Sequence, residues 1–571
     1  MKKHICILAI FLVLTCVIVF ASACKIGSGG SAEKEIEGLT FELQGDEYVL
    51  SKCENTVSGE LVIPAKYKGK NVTSIKENAF EKCDNITNII IEGNIKTIGE
   101  KSFYDCKGLI SVKIGKTVEK INNSAFAYCS YLRTVEFADD CMVKTIGKNA
   151  FAGCFALTSF AFPNNVTEVS DEAFYNCAAL ETVTFNDNIT KIGMKAFEKC
   201  FKLDNVVIND NIKTISFSAF ENCIGLNNIN FGSGLEQISE RAFFGCDNLS
   251  TVTLPDSVYM IGSYGFANCG NLTDITFGAN FRSVGSCAFE KCVSLTSVEF
   301  GDSLESINKK AFNNCSALTK VVLPLTIRSL PFDCFYGCNV ENLTASSEVV
   351  SRFDKSKIVA LNVVSGDEYG RINSFTCSEC TALTSLTISE NVTTIANDAF
   401  YYCTALPSLN IPKSVTTIDV FAFNACGSLN SITVDGENDN YVSQGNCLIS
   451  VSDGVLLLGC SNSVIPNDGS ITEIAAAAFS KCKDLTSVIV PEGVTIIGVS
   501  AFADCSKLSS ITLPTSITRF GTNIFKNCSS LSTINYNGTV NEWKALNSSN
   551  WNWQSGHNCR TVICSDGVFT I

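Results

Sequence analysis

Histidine is almost absent from this chain of 571 residues, which contains only His4 and His557. A Ser-His-Asp or Cys-His arrangement therefore has at most one possible base, and no nucleophile motif accompanies it. Zinc ligation by histidine is excluded for the same reason, and Gly-rich phosphate loops are also absent. We therefore predict that the chain is not an enzyme and uses no cofactor, catalytic residue or metal site.

Charge is also scarce, because only 18% of the residues are charged and the net charge is −14. An acidic chain without a basic run repels nucleic acid and anionic lipid. We therefore expect no nucleic-acid partner. Apolar residues, in contrast, make up 46% of the chain, which indicates a folded protein with a large core.

The N-terminus has the layout of a secretory signal. Lys2 and Lys3 precede an apolar run over residues 5–20, and small residues follow it. Ala21-Ser22-Ala23-Cys24 resembles a bacterial lipoprotein box, with Ala21 in place of the usual leucine, which implies lipidation of Cys24. The polar, Gly/Ser-rich segment after it is typical of a flexible tether. We expect an exported, membrane-anchored lipoprotein at the cell surface that contacts the membrane through this lipid only. A retained transmembrane helix is the alternative.

Cysteine is abundant and regularly spaced. Of the 30 cysteines, 18 lie on a ladder with a spacing of 23 residues, apart from one gap of 25 and two interruptions. The ladder consists of Cys83, Cys106, Cys129, Cys154, Cys177, Cys200, Cys223, Cys246, Cys269, Cys292, Cys315 and Cys338, then Cys380, Cys403 and Cys426, then Cys482, Cys505 and Cys528. Most have a phenylalanine three residues earlier. Such a period is the signature of a repeat architecture.

Each repeat contains one clear strand. In residues 249–254, Val252 and Leu254 alternate with Thr251 and Thr253, and Pro255 ends the pattern. A single unit cannot bury its apolar face, but stacked units can. The period predicts a β-rich repeat solenoid of about 20 turns, with short strands and irregular or short helical segments. At about 4.8 Å per turn it would be roughly 90–100 Å long.

The repeated phenylalanines and cysteines are predicted to form the core. The clearest members of this structural ladder are Phe197, Cys200, Phe220, Cys223, Phe243, Cys246, Phe266, Cys269, Phe289 and Cys292. Equivalent Cβ atoms in adjacent turns point in parallel at about 4.8 Å, whereas a disulfide needs converging Cβ atoms at about 3.5–4.5 Å. We therefore expect buried free thiols that pack as small hydrophobes. A disulfide-stapled framework, as an oxidising compartment would permit, is the alternative.

The repeat resembles a known family. The pattern L-x-x-[VI]-x-[IFL], followed by P-x-x-[VI]-x-x-I-G-x-x-A-F-x-x-C, is similar to the BspA-type leucine-rich repeat, most clearly at residues 249–269, 485–505 and 508–528. The resemblance covers nearly everything from about residue 38 to the C-terminus. It implies a leucine-rich repeat superhelix on a bacterial surface, where some such proteins are associated with adhesion to host matrix proteins or other cells. It does not identify a ligand.

The pattern also divides the chain. We predict a signal peptide (1–23), a tether (24–37), a β-rich N-terminal cap (38–74), leucine-rich repeats (75–338), a degenerate repeat (339–382), further repeats (383–434), a hairpin-like insertion (435–470), final repeats (471–536) and a C-terminal cap (537–571). Bends or bulges in one continuous solenoid are favoured over separate domains at the two interruptions.

Four smaller motifs each allow a chemical and a structural interpretation. Cys377 and Cys380 form a lone C-x-x-C, a motif associated with redox chemistry, but they occupy core positions of the repeat and a core role is favoured. Residues 435–440 are acidic enough for weak calcium binding, but they lack EF-hand spacing, and a solvated turn is favoured. Carbohydrate stacking and core cover are alternatives for the three tryptophans, Trp543, Trp551 and Trp553, with cover favoured. The pair Cys559 and Cys564 is compatible with a disulfide and with free thiols.

The remaining candidate is the surface of the strands. Residues flanking the central apolar residue of each strand should face outward on the concave side. The candidate binding face comprises Thr182, Thr184, Asn205, Asn228, Asn230, Thr251, Thr253, Asp274, Thr276, Ser297 and Glu299. A polar face of this kind fits an extracellular protein or glycan bound by many weak contacts. Tolerance of Ser, Thr and Asn in a crowded sheet is the structural interpretation. A structural or self-associating envelope protein is the alternative function.

Overall fold

The computed structural model describes residues 36–365, 369–548 and 557–571. Residues Gly38–Ile571 form one compact unit, a β-solenoid of about 21 turns of about 23 residues with almost no helix. The predicted fold class is therefore confirmed. None of the helices in these ranges is long and apolar enough to cross a membrane. Cys24 and the predicted signal lie outside the described residues.

The N-terminal end is made of short antiparallel and parallel pairs. Its strands are β1 (Leu39–Gln44), β2 (Glu47–Cys53), β3 (Gly59–Ile63), β4 (Lys66–Tyr67) and β5 (Lys70–Ile75). β1 pairs antiparallel with β2, and β4 pairs antiparallel with β5. β2 pairs parallel with β5, and β3 pairs parallel with β6 (Ile86–Ile91). Each of these pairs begins a parallel ladder.

Two strands per turn build the regular region that follows. The strands after β6 are β7 (Thr97–Ile98), β8 (Ser111–Ile114), β9 (Lys120–Ile121), β10 (Thr134–Phe137), β11 (Thr145–Ile146), β12 (Ser159–Ala161), β13 (Glu168–Val169), β14 (Thr182–Thr184), β15 (Lys191–Ile192), β16 (Asn205–Val207), β17 (Thr214–Ile215), β18 (Asn228–Asn230), β19 (Gln237–Ile238), β20 (Thr251–Thr253), β21 (Met260–Ile261), β22 (Asp274–Thr276), β23 (Ser283–Val284), β24 (Ser297–Glu299), β25 (Ser306–Ile307) and β26 (Lys320–Val322). Even-numbered strands, of three to six residues, form what we call the longer ladder, which is divided into separate sheets between β10 and β12, β18 and β20, and β22 and β24. Odd-numbered strands form a second ladder of two-residue strands, which is divided between β11 and β13.

Both ladders are parallel, with each strand paired to its equivalent one repeat away. Asn205 pairs with Asn228 in the longer ladder, and Gln237 pairs with Met260 in the second. In each three-residue strand the central apolar residue is buried between two neighbours that point to the other side, as the twofold period of a strand requires. Equivalent side chains therefore lie in register along the solenoid.

The A-F-x-x-C segment connects consecutive turns although it is not a strand. Backbone N–H groups of Lys195, Phe197 and Lys199 donate to carbonyls of the next turn at 2.9, 2.8 and 2.8 Å. Both lysines have left-handed backbones, with φ of 56° and 64°. A left-handed conformation costs a non-glycine residue about 1–2 kcal/mol. The hydrogen bonds made by this segment offset that cost in most turns.

The core contains a column of phenylalanine rings. Phe220 stacks between Phe197 and Phe243, with ring centroids 5.3 and 5.4 Å away and rings within 9° of parallel. The column runs from Phe80 through successive turns to Phe335 and ends on Phe353. These rings exclude water from the interior along much of the regular region.

Irregular turns follow β26. The elements there are β27 (Asn342–Ser346), α1 (Ser347–Val350), a single 3-10 turn (Lys355–Lys357), β28 (Ala360–Val364), β29 (Arg371–Ile372), β30 (Ser385–Ile388), β31 (Thr394–Ile395), β32 (Ser408–Ile411), β33 (Thr417–Ile418) and β34 (Ser431–Val434). The longer ladder continues through β26, β27, β28 and β30. α1 and the 3-10 turn occupy the place of the A-F-x-x-C segment.

The C-terminal part contains three antiparallel strands, further parallel strands, a helix and a final antiparallel pair. Its elements are β35 (Tyr441–Gln444), β36 (Cys447–Ser450), β37 (Val455–Leu458), β38 (Glu473–Ile474), β39 (Ser487–Ile489), β40 (Ile496–Ile497), β41 (Ser510–Leu513), β42 (Arg519–Phe520), β43 (Thr533–Tyr536), α2 (Val540–Ser548), β44 (Thr561–Cys564) and β45 (Gly567–Thr570). β35, β36 and β37 are antiparallel, and β37 rejoins the parallel ladder at β38. β45 pairs antiparallel with β44 at the end of the last sheet.

Candidate functional site

The outward-pointing side chains of β14 to β24 form a surface that is polar except at Val207 of β16, and we call it the strand face. The structure places Thr182, Thr184, Asn205, Asn228, Asn230, Thr251, Thr253, Asp274, Thr276 and Glu299 at exposed positions there, with Ser297 half-buried. The parallel register aligns Thr251 with Asp274 and Thr253 with Thr276. The face therefore presents two rows of short polar side chains that run across the turns.

Most of these side chains have no hydrogen-bond partner within the described residues. Those without a partner are Thr182, Thr184, Asn228, Asn230, Thr251, Thr253, Asp274, Thr276 and Ser297. The exceptions are Asn205, which donates to Asp204 at 2.8 Å, and Glu299, which forms an exposed ion pair with Lys320 at 3.3 Å. The hydroxyl and amide groups of this face are thus available to a ligand.

A second row of hydroxyls lies just before the strands and, in contrast to the strand face, forms hydrogen bonds with the backbone. Thr273 donates to the carbonyl of Ser250 at 3.0 Å, and Thr296 donates to the carbonyl of Thr273 at 3.3 Å. These hydroxyls satisfy backbone carbonyls of the neighbouring turn, which is a structural role. On the strand face, most comparable groups have no partner among the described residues.

Comparison with known proteins establishes the family. The model of the BspA-type leucine-rich repeat region matches residues 51–143, 144–259, 236–356, 370–446 and 458–554. The chain belongs to the BspA-type leucine-rich repeat family. No curated protein matches it in sequence.

Several solved structures are similar to this BspA-type chain, at low sequence identity. A protein from Bacteroides ovatus is 19% identical, with 92% of this chain and 100% of that chain covered and a TM-score of 0.35. A cell-surface protein from Faecalibacterium prausnitzii is 20% identical, with coverages of 92% and 99% and a TM-score of 0.26. The pneumococcal vaccine antigen PcpA is 14% identical, with coverages of 93% and 98% and a TM-score of 0.26. At such TM-scores the superpositions are poor.

The structure places the repeated cysteines and phenylalanines of the BspA-type repeat in the interior. Phe197, Cys200, Phe220, Cys223, Phe243, Cys246, Phe266, Cys269, Phe289 and Cys292 are all fully buried. The 27 cysteines from Cys53 to Cys564 are free thiols. Burial raises the pKa of Cys177 and of Cys292 to about 12, so both thiols are protonated at neutral pH. A buried, protonated thiol is a poor nucleophile and metal ligand.

The C-x-x-C pair is also part of this interior. Cys377 and Cys380 are both fully buried and free, and burial raises the pKa of Cys377. The carbonyl of Cys377 accepts a hydrogen bond from the Cys403 thiol at 3.4 Å, the contact that a phenylalanine carbonyl makes in other turns. The pair thus has the packing role that its repeat position indicates.

The acidic segment at residues 435–440 is a hydrogen-bonded turn. Asp435 accepts from the backbone of Glu437 at 2.9 Å, and Asn438 donates to the carbonyls of Pro412 and Val415. Glu437 pairs with Lys413 at 2.9 Å. Within the ranges that the structure covers, no group of three or more His, Cys, Asp or Glu side chains is arranged to hold a metal ion.

Near the C-terminal end, Trp543 packs against aromatic side chains of the preceding turns. Trp543 is fully buried, with its ring centroid 5.2 Å from Tyr536 and 6.1 Å from Phe520, while Trp551 and Trp553 lie outside the described residues. Cys559 and Cys564 are free in the structure. Burial, and secondarily the charge of Arg560, lowers the pKa of His557, which keeps its ring neutral.

Sequence reasoning did not identify two clefts beside the strand face. One is lined by the ends of β10 and β12 and the loops after them, and the other by the ends of β14, β16 and β18 and the loops after them. Each has a volume of about 470 Å³. The sequence signal for the first cleft was the two-residue insertion between Cys129 and Cys154, which contributes Asp140 and Cys141. The signal for the second was an apolar Val207 at an outward position of its strand.

Proposed function

We propose that this BspA-type protein binds an extracellular protein or glycan through the strand face. One observation carries the proposal: an exposed array of aligned hydroxyl, amide and carboxylate groups on β14 to β24 has almost no hydrogen-bond partner within the described residues. Comparable hydroxyls just outside the face are satisfied by the backbone. A leucine-rich repeat solenoid is typically a non-catalytic binding scaffold, which agrees with this role.

The geometry favours many weak contacts over a few strong ones. Adjacent turns are about 4.8 Å apart, so a ligand lying along the face meets a new pair of polar groups at each step. Short Ser, Thr and Asn side chains lose little conformational entropy when a ligand orders them. The affinity would then depend on how many turns the ligand spans.

Export and surface attachment are part of the same proposal. A face of this kind meets extracellular ligands only outside the cell, and members of the family are cell-surface proteins. The sequence of residues 1–24 supports a cleaved signal and lipidation at Cys24. Mass spectrometry of the mature N-terminus tests this, because lipidation predicts an acylated cysteine at position 24 and a retained helix predicts the unprocessed start.

A direct test uses the purified protein in plate binding against matrix proteins and glycans. The double variant Asn228→Arg with Thr251→Arg places two long, charged side chains on adjacent turns of the face. The matched control, Asn248→Arg with Asn271→Arg, changes exposed residues of neighbouring turns away from the face. We expect saturable binding that the first variant weakens and the control preserves. No saturable binding to any ligand, or equal losses in both variants, would contradict the proposal.

Self-association is a second candidate function, favoured by the ends of the solenoid. Each of the outer strands, β1 and β45, pairs with one strand only within the described residues. An open strand edge is able to pair with another chain. Concentration-dependent assembly in analytical ultracentrifugation would support this function, and a constant monomer mass would exclude it.

A further inference from the structure

The second cleft, at the margin of the strand face, has exposed apolar side chains on one side of an otherwise polar lining. Val207, at the end of β16, is 63% exposed, whereas the equivalent positions in β14 and β18 are Thr184 and Asn230. The half-buried ring of Phe185 also lines the cleft. Val207 and Phe185 together form an apolar side of the cleft.

The rim of this cleft is negative. Asp187 and Asp210 occupy equivalent positions in adjacent turns, about 4.8 Å apart along the solenoid, and both are exposed. Hydrogen bonds from the backbone and hydroxyl of Ser233 lower the pKa of Asp210, so its carboxylate is charged at neutral pH. Neither carboxylate forms an ion pair within the described part of the chain, and no lysine or arginine lines the cleft.

The first cleft repeats this combination two turns earlier. It is lined by Phe137, Phe162 and Ala161 on the apolar side and by Asp140 at the rim, again without a lysine or arginine. Asp140 also lacks an ion pair among the described residues. Two similar clefts in succession fit an extended ligand better than an isolated small molecule.

We propose that these clefts dock a basic, extended segment of a partner protein. The aliphatic stem of a lysine or arginine would lie against Phe185 and Val207, and its charged end would meet Asp187 and Asp210. Long basic side chains readily combine an apolar stem contact with a charge-assisted hydrogen bond to a carboxylate. Charge complementarity and the apolar side of the cleft together select this occupant. The inference rests on the proposed function and specifies the partner chemistry at one margin of the strand face.

The test uses the full chain, purified in a non-ionic detergent, and a synthetic peptide that alternates lysine with alanine. A peptide that alternates glutamate with alanine and a neutral oligosaccharide are the comparison ligands. Asp187→Asn with Asp210→Asn removes both rim charges. Asp256→Asn with Asp302→Asn is the matched control, because it makes the same change at the equivalent turn positions outside the clefts. Binding is followed by fluorescence anisotropy of the labelled ligand.

We expect the lysine peptide to bind saturably, the cleft variant to bind it about tenfold more weakly, and the control to bind as the parent does. Replacement of Val207 by threonine, as in the adjacent turn, should also weaken binding. Equal losses in the cleft and control variants would show a general charge effect and overturn the inference. So would preferential binding of the oligosaccharide, or no saturable binding of the lysine peptide. The strand-face variants of the previous test separate such a failure from failure of the proposed function.

Discussion

The thiol of Cys223 donates a hydrogen bond to the carbonyl oxygen of Phe197, 3.1 Å away in the preceding turn. The same oxygen accepts the backbone N–H of Cys200 at 3.1 Å. Thirteen further cysteines repeat this contact with a phenylalanine carbonyl, at 2.9 to 3.3 Å: Cys106, Cys129, Cys154, Cys177, Cys200, Cys246, Cys269, Cys292, Cys315, Cys338, Cys426, Cys505 and Cys528. The recurrent cysteine is therefore both a small apolar side chain and a donor to a buried carbonyl.

Replacement of Cys223 by alanine should lower the free energy of unfolding by about 1–2 kcal/mol. The change removes the hydrogen bond to Phe197 and leaves a small void in a fully buried site. Denaturant unfolding followed by circular dichroism measures the difference. The exposed Lys202→Ala variant is the control and should change stability by less than about 0.5 kcal/mol. Equal stability of the Cys223 variant and the parent would show that the contact is dispensable.

Replacement of Phe220 by alanine should be more damaging, at about 3–5 kcal/mol, because it opens a gap in the ring column between Phe197 and Phe243. Phe201→Ala is the matched control, since Phe201 is 37% exposed and lies outside the column. The same denaturant experiment compares the two. Similar losses for Phe220 and Phe201 would contradict the role given to the column.

The left-handed backbone positions in the A-F-x-x-C segment predict that β-branched side chains lower the stability of the fold at these positions and not in the strands. Asn222 has a φ of 59°, a conformation that asparagine tolerates and valine does not. Asn222→Val should therefore cost about 1–2 kcal/mol. Asn228→Val makes the same change on β18, where a β-branched residue suits the strand, and should be close to neutral. A neutral Asn222 variant would show that the backbone is not held in this conformation.

Buried thiols also predict that stability falls at alkaline pH. Burial raises the pKa of Cys177 and of Cys292 to about 12 in the folded protein, whereas the pKa of a thiol in the unfolded chain is about 8.5. Unfolding therefore releases protons between these values, so the stabilisation is complete below about pH 8 and declines as pH rises towards 12. The denaturant midpoint should be lower at about pH 10 than at pH 7.

The double variant Cys177→Ala with Cys292→Ala provides the control for this pH dependence. It removes two of the groups that titrate, so its midpoint should fall less steeply between neutral and alkaline pH. A midpoint that is unchanged or higher at about pH 10 in the parent protein would contradict the burial of these thiols.

Much of the fold was predictable because its core residues recur at one interval. The 23-residue spacing of Cys200, Cys223 and Cys246 identified the turns, and the alternation around Val252 identified the longer ladder. The second ladder was not predicted, since a two-residue strand such as Gln237–Ile238 is too short to show alternation. The hydrogen bond of each thiol was also missed, because periodicity indicates burial but not the direction in which a donor points.

The irregular turns and the clefts were less predictable because they depart from the regular repeat. Phe353 ends the ring column against Phe335, at a ring distance of 4.8 Å, although it lies 18 residues later and outside the repeat register. Its contact depends on α1 and the 3-10 turn, which replace the usual segment. The apolar side of the second cleft, formed by Phe185 and Val207, likewise depends on differences in side-chain size between adjacent turns.

Differential alkylation of the cysteines tests the central claim, a dry interior of free thiols in stacked turns, most directly. The protein is treated with an alkylating reagent at neutral pH without reductant, first folded and then in denaturant, and modified peptides are mapped by mass spectrometry. The account predicts that the 27 cysteines from Cys53 to Cys564 are protected in the folded protein and all modified after denaturation. Rapid modification of the ladder cysteines in the folded state, or resistance after denaturation because they are paired as disulfides, would contradict it.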